Sequence, residues 1–312
     1  MVQKILQKKE FDNFINQLIK KYEVVAPIKD KITKFSKIKN SKEIYLDDNT
    51  LVPLKQLFMP EKEVLFEFKK GKIKKIKPDS TKRIVFGIRK CDLNSLLILD
   101  KVMFDPLYKS KRENTVLIGM FCDNPSEYCF CNSMELVDYY DLYFYPEGDK
   151  YYISVGSKKG EFLVKGLKDA DKEVKKEIKN TKQLKNKDIY KEYMNPLWNK
   201  DIEKCLSCGA CTIYCPTCNC FDIRDEDNLD KSGKRVRIQT SCQLKSFSEV
   251  AGGKSFRDSR ASRFKHFVYH KIVFYKNKFN KYMCVGCGRC LKACPPKIDW
   301  VETINQMNGG KK

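Results

Sequence analysis

Apolar positions at the start of the chain, Ile5, Phe11, Phe14, Ile15, Leu18, Ile19 and Tyr22, fall at helical spacing among charged neighbours and predict one buried stripe. Further on, Arg83–Ile88 (RIVFGI) reads as a buried strand. Asp92–Met103 reads as a short helix with Leu93, Leu96, Leu97 and Leu99 on its apolar side, and Thr115–Phe121 (TVLIGMF) as a second strand. Strand, helix, strand in this order predicts a parallel pair with a right-handed crossover. Tyr151–Val155 and Glu161–Val164 predict a hairpin through Gly156 and Gly160. Asp169–Asp188 is rich in Lys and Glu with apolar Val174, Ile178 and Leu184 only, the pattern of a solvated helix.

The 312 residues are enough for about two domains of roughly 150 residues. The expected organisation is an α/β domain over 1–150 with cysteines at its strand ends, a hairpin and charged helical linker over 151–200, and a cysteine-motif domain over 201–312 with an insert at 217–283. With 42% hydrophobic and 12% aromatic residues, the chain is not intrinsically disordered. No run nears the roughly 20 apolar residues of a membrane span; the best are Ser95–Leu99 and Thr115–Met120. The charged N-terminus lacks the apolar core and small-residue cleavage site of a signal peptide, so a cytoplasmic protein is expected. Fifteen cysteines, an odd number in an unexported chain, point to reduced thiols, and thiols at this density usually hold metal.

The chemistry lies in a duplicated motif. Cys205, Cys208, Cys211 and Cys215 followed by Pro216, then Cys284, Cys287, Cys290 and Cys294 followed by Pro295, both read C-x2-C-x2-C-x3-C-P. This is the two-cluster ferredoxin pattern, in which the fourth cysteine of each run ligates the other cluster. On that logic Cys205, Cys208, Cys211 and Cys294 hold one 4Fe-4S cluster, and Cys284, Cys287, Cys290 and Cys215 the second. Gly209, Gly286 and Gly288 fall inside the loops, where backbone must approach sulfide closely. Zinc also takes C-x2-C pairs, but it does not need four cysteines and a proline at this spacing twice. The expected fold class is an α/β N-terminal domain plus an α+β two-cluster ferredoxin-like C-terminal domain with a long basic insert.

The net charge of +22 concentrates in that insert. Lys231–Met283 holds fourteen Lys or Arg against Glu249 and Asp258. Phe264, Phe267, Tyr269, Phe274, Tyr275 and Phe279 are interleaved, which raises nucleic-acid binding as a reading. A solvated or partner-facing surface accounts for the same pattern, and no nucleic acid is expected. His266 and His270, the only histidines, stand four apart and could chelate a metal. Without a nearby carboxylate the simpler reading is two partly buried surface histidines.

The segments FGIRKCDLNSLLILD, RENTVLIGMFCDNPSEYCFCNSM, PLWNKDIEKCLSCGACTIYCPTCNCFDIRDE, SCQLKSFSEVAGGKSFRDSRASRFKH and CVGCGRCLKACPPKID together resemble the iron-sulfur beta subunit of cytoplasmic sulfhydrogenases, which are NiFe hydrogenases, and the related A subunit of anaerobic sulfite reductases. The resemblance spans most of the chain and is closer to the sulfhydrogenase side. It implies a subunit relaying electrons between a flavin-containing, NAD(P)H-linked subunit and a catalytic hydrogenase or sulfite reductase subunit. The chain departs from the pattern at Lys90, where relatives often carry Pro or Ala, and in the short stretch after the second motif.

Seven cysteines remain. Cys91, Cys122, Cys129 and Cys131, in loops just past two adjacent strands, form a possible third cluster site; the competing reading is inert buried thiols. Cys218, Cys220 and Cys242 could supply some of those ligands instead. The alternative function is a redox enzyme with a flavin or substrate site in the N-terminal α/β domain, although no G-x-G-x-x-G follows a predicted strand there.

Overall fold

The computed structural model describes residues 3–308. Two compact units share the chain: the first takes in 1–58, 78–127 and 135–180, the second 59–77, 128–134 and 181–312. The breaks expected at 150 and 200 lie elsewhere along the chain than these limits, because the second unit draws two short segments from within the N-terminal half.

Twelve strands occur among the described residues. In chain order they are β1 (Gln3–Gln7), β2 (Glu23–Lys29), β3 (Thr33–Lys37), β4 (Lys62–Lys69), β5 (Lys72–Lys75) and β6 (Arg83–Ile88). They continue as β7 (Thr115–Met120), β8 (Leu142–Glu147), β9 (Lys150–Val155), β10 (Lys168–Asp169), β11 (Phe221–Asp227) and β12 (Ser232–Gln239).

The first unit is built on an eight-stranded sheet in the order β10-β1-β9-β8-β7-β6-β2-β3. Its centre, β2, β6, β7 and β8, is parallel, and the register of β6 on β7 sets Ile84 beside Val116 and Val85 beside Leu117. Every residue of β6 is buried, as expected of a parallel strand covered on both faces. The crossover from β6 to β7 uses two helices, Lys90–Leu99 and Pro106–Glu113. Asp105 caps the second by accepting from the Tyr108 amide, with Pro106 in the first turn, where its missing N–H costs nothing.

Three sequence expectations are corrected here. Ile5 does not belong to the N-terminal helix: it lies on β1, and the amphipathic helix is Phe11–Lys21. The hairpin is formed by β8 and β9, turning at Gly148 with φ +56°, while Glu161–Val164 ends the helix Lys158–Val164. Ser157 nucleates that helix by accepting from the Gly160 amide. Gly160 is required there because a Cβ would stand 2.1 Å from the Asp141 carbonyl oxygen. Third, residues 171–189 form no helix. Their backbone groups bond to distant side chains instead: the Val174 amide donates to Gln3 Oε1 at 2.8 Å in the first unit. In the second unit the Leu184 amide donates to Ser133 Oγ at 3.0 Å and the Lys185 amide to Asn305 Oδ1 at 2.9 Å. A chain so rich in Lys has too narrow an apolar stripe to dock as a helix.

The second unit carries an antiparallel sheet in the order β11-β12-β4-β5. Its core gathers around Trp198, which packs edge-on to Phe264 and against Tyr269, each at 6.2 Å between ring centroids. Phe264, Phe267, Tyr269 and Tyr275 are all buried, so most of the aromatic residues of the basic segment are core. At roughly 1.5–3 kcal/mol for each large apolar side chain, they hold the helix Arg260–Tyr269 in place. The helical path continues through a π-helical turn, His270–Phe274, into Tyr275–Phe279.

Candidate metal centres

Both cysteine motifs lie in the second unit, and each forms the same local device. Two residues after the first cysteine the backbone turns left-handed, at Ser207 (φ 52°) in the first loop and Gly286 (φ 63°) in the second. It does so again at Gly209 and Gly288, which start the short helices Ala210–Ile213 and Arg289–Lys292. These turns aim amides inward. Ser207 N–H donates to Cys205 Sγ at 3.4 Å and Gly286 N–H to Cys284 Sγ at 3.3 Å.

The eight motif thiols line two cavities. Cys205, Cys208, Cys211 and Cys294 line the first, with Phe264, Phe267 and Ile298 on its apolar walls. Cys284, Cys287, Cys290 and Cys215 line the second, with Phe130, Phe267 and Lys271. Cys290 and Trp300 border both. Thus the last cysteine of each motif crosses to the cavity of the other.

Electrostatics show thiols crowded together across the two adjoining cavities. Burial pushes the Cys211 thiol well up from its ordinary value, and the thiols of Cys205, Cys215, Cys208 and Cys294 push it further. Cys290 is raised by burial and then by Cys284, Cys287 and Cys215. Cys284 is pushed up to about 12, mainly by burial, against the opposing Gly286 amide. Crowded, desolvated thiols resist ionising together unless a cation sits among them, so the donor set is chemically suited to a positively charged iron-sulfur core. The Trp300 indole N–H is buried without a hydrogen bond of normal length, and its dipole favours the ionised form of Cys290, an available donor to sulfur. Among the described residues no group of three or more Cys, His, Asp or Glu side chains is placed to hold a single metal ion.

The four cysteines of the possible third site divide between the units. Cys91 and Cys122 belong to the first, where burial raises the Cys122 thiol and Arg89 opposes the rise. Cys129 and Cys131 belong to the second and pack on the second motif loop: Cys129 Sγ lies 3.5 Å from the Cys287 carbonyl, and Phe130 N–H donates to the Gly286 carbonyl at 2.8 Å. Cys218 is hydrogen-bonded to Cys215, and Cys242 to Cys220. His266 and His270 stack at 5.5 Å, half-buried. Burial, then neighbouring Arg257 and Lys271, lowers His266 to about 4; burial, then Lys271 and His266, does the same to His270.

Sequence reasoning missed Lys271, Thr217 and Trp300. One lysine among fourteen basic residues carries no local mark, and only packing shows which of them is buried.

Residues 204–298 match the family described as the 4Fe-4S dicluster domain, so the second unit is an iron-sulfur module. Over 98% of its length, and 98% of the relative's, the chain is 32% identical to the beta subunit of sulfhydrogenase 2 from Pyrococcus furiosus. The chain belongs to the family of sulfhydrogenase beta subunits. No solved structure matches it. Among the described residues no helix is long and apolar enough to cross a membrane.

Proposed function

We propose that this chain is the iron-sulfur electron-transfer subunit of a multi-subunit sulfhydrogenase-type complex, with two 4Fe-4S clusters in a ferredoxin-like arrangement. Cys205, Cys208, Cys211 and Cys294 hold the first, and Cys215, Cys284, Cys287 and Cys290 the second. The observation that carries this reading is the crossing of Cys294 and Cys215 into the opposite cavities. A 4Fe-4S cluster held by these thiols would supply one-electron chemistry. The protein fixes the two sites side by side through the shared wall of Cys290 and Trp300, excludes water with Phe264 and Phe267, and aims the amides of Ser207 and Gly286 at sulfur. No acid, base or nucleophile is needed for such a relay.

The electrons pass between a flavin-containing, NAD(P)H-linked subunit and a catalytic hydrogenase subunit; the kinship with a sulfhydrogenase beta subunit favours this over a sulfite-reducing partner. The test is anaerobic reconstitution of the full chain. About 8 iron atoms and two reducible cluster signals per chain are expected, without turnover in the absence of partners. About 4 iron atoms, or zinc in their place, would sink the reading, and about 12 would add a third cluster. Copurification of a nickel-iron subunit is the expected result for the partner, and a sirohaem subunit the contrary one.

A further inference from the structure

Among the residues lining the two cavities, Lys271 is the one basic side chain, and the relay described above gives it no task. It is only 2% exposed. Its ammonium group donates to Cys218 Sγ at 3.0 Å and to Thr217 Oγ1 at 3.2 Å. An ammonium group has no acceptor, so the Thr217 oxygen must accept, which leaves its hydroxyl proton free for Cys215 Sγ at 3.2 Å. The Cys218 thiol, held by the same ammonium, also donates a hydrogen bond to Cys215. Two donors ordered by one buried cation therefore converge on the sulfur that crosses from the first motif to the second cavity.

The backbone holds Lys271 as firmly. It lies on the π-helical turn His270–Phe274, and its carbonyl accepts from the amide of Met283, the residue before Cys284. A cation without counter-charge is not retained in such a place at equilibrium, and the wall opposite is made of thiols. Four thiolates around an oxidised cluster core carry a net charge of about −2, and about −3 after reduction, so a fixed positive charge favours the reduced state. The first loop has cations of its own, Arg260 on the Cys205 carbonyl and Arg263 near Ser207 Oγ, but neither lines the first cavity.

We infer that Lys271 is a positioning residue that raises the reduction potential of the second cluster above that of the first, through its buried charge and through Thr217 and Cys218 acting on Cys215. The inference rests on the two-cluster reading above and adds a direction: of the two sites, the second is the one where an electron rests. Hydrogen bonds to sulfur and local charge are among the factors known to set such potentials.

The experiment is an EPR-monitored redox titration of the reconstituted full chain. Lys271→Met is expected to lower the midpoint of one cluster, so that its reduced-to-oxidised ratio at a fixed ambient potential falls about tenfold or more, and to leave the other in place. The moved signal is the one that survives in Cys294→Ser, which lacks a first-site ligand. Thr217→Val, which keeps the cation, moves the same cluster the same way by less, and Lys271→Arg restores most of the loss. Equal shifts of both clusters, or no shift, overturn the inference. If Lys271→Met does not take up iron, Thr217→Val decides, and an unmoved midpoint there overturns it. A single cluster signal in the unmutated chain sinks the two-cluster reading itself, a result distinct from an unmoved midpoint beside two signals.

Discussion

The two cysteine loops share a motif and a backbone path but not an environment. In the first, Leu206 is 65% exposed and Cys208 is exposed; at the matching positions of the second, Val285 is 2% exposed and Cys287 is half-buried. The difference comes from the segment Tyr128–Met134, which lies against the second loop. At Gly286 a Cβ would meet the backbone of Phe130 and Cys131 at 2.6 Å, and at Gly288 the backbone of Tyr128 at 2.5 Å. At the position of Gly286 the first loop carries Ser207, whose Oγ lies 3.5 Å from Arg263 Nη2. A repeated motif thus yields an outer site facing solvent and an inner site under a covering strand of chain with a lysine in its wall. Of the two loops, the first is open to solvent at Leu206 and Cys208, and the second is covered by Tyr128–Met134.

The largest test of this contrast exchanges the crossing ligands. Cys294→Ser is expected to abolish the cluster of the first motif and Cys215→Ser that of the second, each lowering iron from about 8 to about 4 per chain. Loss of the motif-matched cluster in both cases would break the crossed assignment. Next in size, Gly286→Ala should destabilise the loaded chain by about 1–3 kcal/mol from its left-handed backbone and by more from the clash, read by denaturant titration. Ser207→Ala, at the open counterpart, should stay within about 1 kcal/mol. Equal costs would show that the two loops are packed alike. Third, an iron chelator should strip the outer cluster first, with one signal decaying several-fold faster than the other.

The smallest effect lies on the helix behind the cavities. His266 and His270 stand near 4 in the folded protein against an ordinary 6.5, chiefly through burial. The unfolded chain therefore binds more protons between these values. Their contribution to stability is present above about pH 6.5 and is lost as the pH falls toward about 4. His266→Gln should flatten that decline relative to the unmutated chain, as measured by denaturation midpoints of reconstituted protein at each pH. An unchanged slope would mean that His266 is not held neutral by its packing.

Strong local signals were legible in the sequence and weak ones were not. The runs RIVFGI and TVLIGM read as buried strands from their short length and β-branched content, and they pair in parallel. The eight motif cysteines are legible for a related reason: three thiols spaced to wrap one core are a local geometric statement. By contrast, Glu161–Val164 reads as strand from composition, yet Ser157 and the crowding at Gly160 make it a helix. Asp169–Asp188 reads as a helix from its charges, yet partners far away in sequence, Gln3, Ser133 and Asn305, take the backbone amides of Val174, Leu184 and Lys185. The proposed grouping of Cys91 and Cys122 with Cys129 and Cys131 rests on their place in loops just past two adjacent strands; the first two fall in the first compact unit and the other two in the second.

The sequence by itself determined the parallel centre of the first unit and the iron-sulfur character of the second, because hydrophobic period and ligand spacing act over a few residues. Only the tertiary structure decided that one loop is covered and the other open, and that among fourteen basic residues between Lys231 and Met283 it is Lys271 whose charge lies against the thiols. Burial and the direction of an electric field depend on segments that meet from opposite ends of the chain, and such meetings leave no periodic trace in the residues that take part in them.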